Sequence, residues 1–185
     1  EYDYLVSEFN YPEGVIQYTG LCRFDNLIRG NDPSNEILVM PTWRGSDYPQ
    51  GDQFYETAFY KYFQSMLNNP SLLRLLEERD LKLLFYPHIE LQKELDKFQS
   101  PSERIILANW KDYDVQTLLM RCNLLITDYS SVFFDLGYME KPVIYYQFDQ
   151  EEFRKFHYQK GYFSYEKHGF GPVVQTEEAL VDAIY

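Results

Sequence analysis

Two adjacent hydroxyls, Ser130 and Ser131, stand where a short apolar run hands over to a helical pattern. Leu124, Leu125 and Ile126 make the run, of the kind expected from a strand covered on both faces. Residues 128–131, with Asp128 first, are types that prefer caps and turns to helix interiors. A helix N-terminus at such a junction offers unpaired N–H groups and the positive end of a dipole, which favour a phosphate. The same serines also suit a plain strand–helix–strand unit in which they merely cap the helix, and spacing leaves both readings open. Three further positions offer related chemistry. Arg44, beside Thr42, carries a planar fork of donors suited to phosphate, or is a surface arginine in a loop. His88 follows another apolar run and is either a hydrogen-bonded structural residue or a cation for phosphate. Asp135, one helical turn beyond Ser131, is an acceptor for a sugar or polyol hydroxyl, or a carboxylate at the core edge. The loop contains neither Gly-x-Gly-x-x-Gly nor Gly-Lys-Ser/Thr, so it is neither a dinucleotide fingerprint nor a P-loop.

The elements that must position these residues alternate. Apolar and β-branched runs predict strands at 36–40, 81–86, 104–108, 124–126 and 143–146. Helical periodicity predicts helices at 54–67, 71–79, 89–98, 115–121 and 132–139, with a last one from 177 onward. Leu91, Leu95 and Phe98 should face inward, and Lys141-Pro142 should stop the helix that follows the serines. Residues 2–9 and 15–20 look extended, and a turn around Gly20 to Asp25 leads towards Leu27. Residues 45–52 read as a loop able to border a ligand, and 147–170 as a long aromatic loop with some helix. Such alternation implies an α/β fold: an open, mainly parallel, doubly wound sheet with helices on both faces. In the order 3-2-1-4-5, strands 1 and 4 flank the switch point where such sheets bind ligands. Thr42, Arg44, Ser130 and Ser131 would then converge on one crevice, with His88 near its rim. One Rossmann-like domain is expected over 1–185, with a lead-in segment at 1–30 and the core at 31–185.

Composition sets outer limits. The 185 residues are 45% hydrophobic and 18% aromatic, which fits a folded chain with a sizeable core. Net charge is −12, from 17 basic and 29 acidic side chains, and argues against nucleic acid as a partner. A phosphorylated small molecule remains compatible, because local dipoles and a few cations outweigh the global field at short range. The cysteines, Cys22 and Cys122, lack metal-ligand spacing and read as reduced, in a cytoplasmic setting. No cluster at ligand spacing suggests a metal, and no cofactor is called for. No apolar run approaches the ~18 residues needed to span a bilayer, and no signal peptide opens the sequence. The chain starts at Glu1 without Met, as expected of a piece of a longer protein.

The run Leu-Ile-Thr-Asp-Tyr-Ser-Ser-Val-Phe-Phe-Asp (125–135), followed by Lys-Pro-Val-Ile-Tyr-Tyr (141–146), resembles the signature of the CDP-glycerol glycerophosphotransferases. These are the teichoic-acid polymerases and primases of Gram-positive cell walls. Thr-Gly-Leu-Cys-Arg-Phe-Asp-Asn-Leu (19–27), Met-Pro-Thr-Trp-Arg (40–44), Tyr-Pro-His (86–88) and Gly-Pro-Val-Val-Gln-Thr-Glu-Glu-Ala-Leu (171–180) fit in the same order. The likeness spans nearly the whole chain, and the Asp-Tyr-Ser-Ser piece is its most specific part.

That resemblance implies the carboxy-terminal, nucleotide-binding half of a GT-B-like enzyme. The donor would be CDP-glycerol or a related CDP-polyol. The terminal hydroxyl of a polyol-phosphate acceptor would attack the glycerol-bearing phosphate, and CMP would leave. Thr42, Arg44, Asp128, Ser130, Ser131 and Asp135 would bind the donor, and His88 would take a catalytic role. The family's other half carries a histidine in a Trp-His-Gly-Thr-Pro-type segment that this chain lacks; His157 and His168 do not match it. The chain alone should therefore bind donor and turn over little, needing the missing amino-terminal domain as partner. The resemblance also implies a peripheral place on the cytoplasmic face of a Gram-positive cell membrane. Two rival readings are a nucleotide-sugar domain of a GT-B glycosyltransferase and a non-enzymatic flavodoxin-like or receiver-type module. The serine loop counts against the first, and the absence of acidic residues at 41–43 against the second.

Overall fold

Among the described residues, strands at six places alternate with helices, as expected of crossover connections between parallel neighbours. A computed structural model describes residues 2–12, 14–156 and 163–185. The strands are β1 (Glu36–Val39), β2 (Lys82–Phe85), β3 (Ile105–Leu107), β4 (Leu124–Thr127), β5 (Val143–Tyr146) and β6 (Val173–Val174). They pair in parallel in the order β3-β2-β1-β4-β5-β6. The expected order thus holds and is extended by β6, which the sequence reading left out. The helices are α1 (Tyr2–Phe9), α2 (Asp25–Arg29), α3 (Ala58–Leu67), α4 (Pro70–Glu78), α5 (Val115–Arg121), α6 (Phe133–Tyr138), α7 (Gln150–Phe156), α8 (Tyr165–His168) and α9 (Glu177–Ile184).

Period-2 alternation along each strand divides the core between the two faces of the sheet. Ile37, Val39, Leu83, Phe85, Ile126, Ile144 and Tyr146 face one side and pack with Phe59 and Phe63 of α3, Leu72 and Leu76 of α4 and Leu180 of α9. Leu38, Leu84, Leu125, Val143 and Tyr145 face the other, against Leu27 of α2, Leu118 and Leu119 of α5 and Phe133 and Leu136 of α6. Both faces are covered, so this is a doubly wound, Rossmann-like α/β sheet.

Side-chain caps fix several helix starts. Thr57 accepts from the amide of Tyr60 at 3.2 Å and opens α3. Asn69 accepts from Ser71 at 2.9 Å and Leu72 at 3.2 Å, with Pro70 at the first position of α4. Asp114 and Thr176 cap α5 and α9 in the same way.

Four expectations need correction. Residues 2–9 are helical, as α1, and 15–20 form no strand. The stretch 54–67 divides at Thr57 into a 3-10 stretch, Gly51–Glu56, and α3, because Thr57 adopts an extended backbone to cap the helix. Ile89–Lys97 is 3-10 rather than α-helical, although Leu91, Leu95 and Phe98 do turn inward. The helix expected within 147–170 is present as α7 and α8, while 157–162 fall outside the described residues.

Candidate functional site

At the carboxyl ends of β1 and β4 the sheet reverses its direction of winding, because β1 pairs with β2 on one side and β4 on the other. Ladder bonding continues just past the strands: the Met40 amide donates to Ile126 O at 2.9 Å, and Thr127 Oγ1 donates to Met40 O at 2.7 Å. The loops then part, leaving the crevice in which open α/β sheets place their ligands.

A buried charged knot ties these loops together. Asp128 is fully buried, and its Oδ1 accepts from the amides of Thr42 at 2.8 Å and Tyr129 at 2.6 Å. Its Oδ2 lies 2.8 Å from Nη1 of Arg44. Arg44 is only 3% exposed. Its Nε donates to Asp149 Oδ2 at 2.7 Å, its Nη2 to Asp149 Oδ1 at 3.2 Å, and its Nη1 also to Thr42 O at 2.5 Å. The guanidinium lies between aromatic rings, 5.0 Å from the centre of Phe59, 5.4 Å from Tyr129 and 5.3 Å from Phe153. Burial works against its charge, but Asp128 and then Asp149 outweigh burial, so its pKa is raised above the ordinary arginine value. Tyr129 Oη donates to Asp149 Oδ1 at 3.1 Å, and the Tyr129 ring stacks on Phe153 with centroids 3.7 Å apart. Burial, then the charges of Asp149 and Asp128, push the Tyr129 phenol up, so it stays a donor. Gln147 Nε2 donates to Asp128 O at 2.8 Å, and Tyr165 Oη to Tyr129 O at 3.1 Å. Gly45, at φ 103°, turns the chain away directly after Arg44 in a conformation that favours glycine.

The residues singled out from the sequence are placed unequally around this knot. Ser130 and Ser131 lead into α6, as expected; Ser130 is half-buried and its Oγ accepts the Val132 amide at 3.3 Å. Ser131 is exposed. Thr42 has its backbone amide held by Asp128, and its Oγ1 is buried with no hydrogen-bond partner among the described residues. Arg44 departs from expectation: its fork meets two carboxylates of the protein itself. Asp135 departs too. It is 5% exposed and accepts from Arg23 at 2.9 and 3.1 Å, a bidentate pair that ties the lead-in segment to α6.

His88 stands at the end of β2, its ring stacked on Trp43 at 5.8 Å and its Nδ1 accepting the Glu90 amide at 3.3 Å. An accepting Nδ1 belongs to the neutral ring with its proton on Nε2. Burial likewise lowers the His88 pKa, opposed in part by Glu90. The expected imidazolium therefore does not fit this arrangement.

Two cavities open beside the β1 loop. One, of about 410 Å³, is lined by Arg44, Asp47, Tyr48 and Glu152 among others. The second, of about 240 Å³, includes Trp43, Tyr48, Glu90 and Lys93. Sequence reasoning missed Tyr129, Asp149 and Arg23. Tyr129 lies inside the recognised motif, whereas the Arg44 partner of Asp149 and the Asp135 partner of Arg23 are more than a hundred residues away and leave no local signal. Among the described residues, no group of three or more His, Cys, Asp or Glu is placed to hold a metal ion, and no helix is long and apolar enough to cross a membrane. Cys22 is exposed and Cys122 buried, both as free thiols.

Comparison with known proteins places this geometry. A family profile described as CDP-Glycerol:Poly(glycerophosphate) glycerophosphotransferase matches residues 5–185. The chain belongs to this family. Among its relatives, the minor teichoic acid biosynthesis protein GgaB of Bacillus subtilis is 30% identical over 188 aligned positions, covering 95% of this chain and 20% of that protein. A teichoic acid glycerol-phosphate transferase of Staphylococcus aureus is 28% identical, covering 99% of this chain and 51% of the other. The wall teichoic acid polymerase TagF, in a variant soaked with CDPG, superposes with a TM-score of 0.69 at 25% identity, covering 98% of this chain and 45% of TagF. The chain thus spans between a fifth and about half of the relatives it resembles.

Proposed function

We propose that this chain is the donor-binding domain of a CDP-glycerol glycerophosphotransferase, with 1–30 as its lead-in and 31–185 as its core. It holds CDP-glycerol, or a related CDP-polyol, while a polyol-phosphate acceptor attacks the glycerol-bearing phosphate and CMP leaves. The observation that carries this reading is the Asp128–Ser131 loop, set at the switch point between β1 and β4 in a chain that matches the family from residue 5 to residue 185.

Phosphoryl transfer asks a protein mainly for positioning and for donors aimed at the phosphoryl oxygens. Ser131, Ser130 and the amides that begin α6 supply neutral donors. Thr42 Oγ1, without a partner among the described residues, supplies another. His88 acts as a neutral Nε2–H donor at the rim rather than as a cation. The acceptor site and a general base come from an amino-terminal domain, and the whole enzyme works on the cytoplasmic face of the membrane in a Gram-positive bacterium.

Titration calorimetry with CDP-glycerol, CDP-ribitol and UDP-sugars tests the reading. We expect binding of a CDP-polyol and no CMP release from donor plus acceptor. Preference for a UDP-sugar, or no binding of either CDP-polyol, overturns the donor assignment. Robust CMP release by the chain overturns the division of labour.

A further inference from the structure

We propose that Arg44, Asp149 and Tyr129 are positioning residues, a buried brace that holds the Asp128–Ser131 loop in its donor-binding shape without touching the donor. The inference rests on the donor-site reading above and deepens it. Three segments distant in sequence meet in the brace: the loop after β1 through Arg44, the loop after β4 through Asp128 and Tyr129, and the end of β5 through Asp149. These strands are consecutive neighbours in the sheet. The brace therefore laces the carboxyl ends of the strands that flank the crevice.

Arg44 is poorly placed to bind a phosphate directly. Its Nε and Nη2 already donate to Asp149, its Nη1 donates to Thr42 O, and Nη1 also lies 2.8 Å from Asp128 Oδ2. A phosphate would have to displace a carboxylate that is itself buried, which leaves an uncompensated charge. The bidentate grip on Asp149 fixes the plane of the guanidinium, and that plane fixes where Asp128 lies. Asp128 in turn orients the amides of Thr42 and Tyr129, one on each wall of the crevice. Tyr129 closes the circuit, because its backbone belongs to the serine loop while its hydroxyl reaches Asp149 at 3.1 Å. One cation faces two buried carboxylates, so the Tyr129 hydroxyl is the added donor that Asp149 needs.

The test compares Asp149→Asn, Tyr129→Phe and their double variant with the parent chain. Tyr129→Phe keeps the ring on Phe153 and deletes only the hydroxyl. Each variant is followed by CDP-glycerol titration, thermal unfolding and amide hydrogen exchange of segments 40–46 and 127–132. We expect each single variant to weaken binding roughly five- to thirtyfold. Exchange in both segments should rise together while the centres of β1 and β4 stay protected. The double variant should lose little more than the worse single one, because the residues act through one network.

A merely structural role would lower the melting temperature and leave affinity unchanged well below it; that outcome, with unaltered exchange in both segments, overturns the proposal. If Arg44 instead binds the phosphate and Asp149 competes for it, Asp149→Asn should tighten binding, which also overturns it. If the parent chain binds neither CDP-glycerol nor CDP-ribitol, the donor reading fails by itself. The exchange of the two segments in the variants then still decides whether the brace exists.

Discussion

Ser130 and Ser131 are neighbours in the chain with different surroundings, and this separates two roles that spacing alone merges. Ser130 accepts the Val132 amide, so Ser130→Ala removes a local side-chain-to-backbone hydrogen bond and should cost about 1 kcal/mol of stability. Ser131 is exposed, and Ser131→Ala should change stability by less than about 0.5 kcal/mol. A ten- to hundredfold loss of CDP-glycerol affinity in Ser131→Ala, roughly what one charge-assisted hydrogen bond supplies, would therefore report contact with the donor. Unchanged calorimetric affinity in that variant would place the phosphate elsewhere.

His88 carries a second residue-scale prediction. Burial sets its native pKa below the ordinary value of 6.5, so the unfolded chain holds more protons on this ring between those two pH values. The stability that the neutral ring contributes is present above pH 6.5 and is lost as pH falls through the native pKa. Urea midpoints measured from pH 7.5 down to 5 should show that part of the slope flattened in His88→Gln. A variant with the parent's full slope would remove His88 as its source.

Among the elements, β6 is preceded by a tight approach of backbone to backbone. Gly171 lies where a Cβ would run into the carbonyl of Val143, just before Val173 and Val174 pair with Tyr145 and Tyr146. Backbone cannot yield there as a flexible side chain would. Gly171→Ala should therefore destabilise by at least about 2 kcal/mol and expose the amides of Tyr145 and Gln147, which donate to Pro172 O and Val174 O. Thermal unfolding with hydrogen exchange would show it, and an unperturbed melt would contradict the packing. The same strand shows where reading a sequence stops: two residues between Pro172 and Gln175 carry no periodicity to detect. At α1 residue type misleads instead. Tyr2, Tyr4, Leu5 and Val6 are aromatic, apolar or β-branched types at home in a strand, which imitates one. No residue of α1 is buried, so no core-facing stripe corrects the impression. The central strands were legible because both faces are covered, and a continuous apolar run then marks each one.

At the scale of the whole molecule, the order of the five longer strands and the place of the crevice followed from strand–helix alternation, since parallel crossovers leave few topologies. The serine loop could be placed for the same reason: it sits at the carboxyl end of a buried strand next to the first. Which polar groups face the crevice could not be read in this way. Arg44 and Asp135 have the chemistry of ligand donors and acceptors, yet each is met by a partner from a distant segment, Asp149 for one and Arg23 for the other. A single sequence holds no local sign of such pairings. The edges of the sheet carry one more consequence. The outermost strands, β3 and β6, are three and two residues long. An unpaired edge is a template on which a foreign strand can grow, and its grip scales with the number of ladder bonds it offers. Edges this short give an incoming strand almost nothing to hold, so the sheet's own termini guard this tyrosine- and phenylalanine-rich chain against polymerising edge to edge.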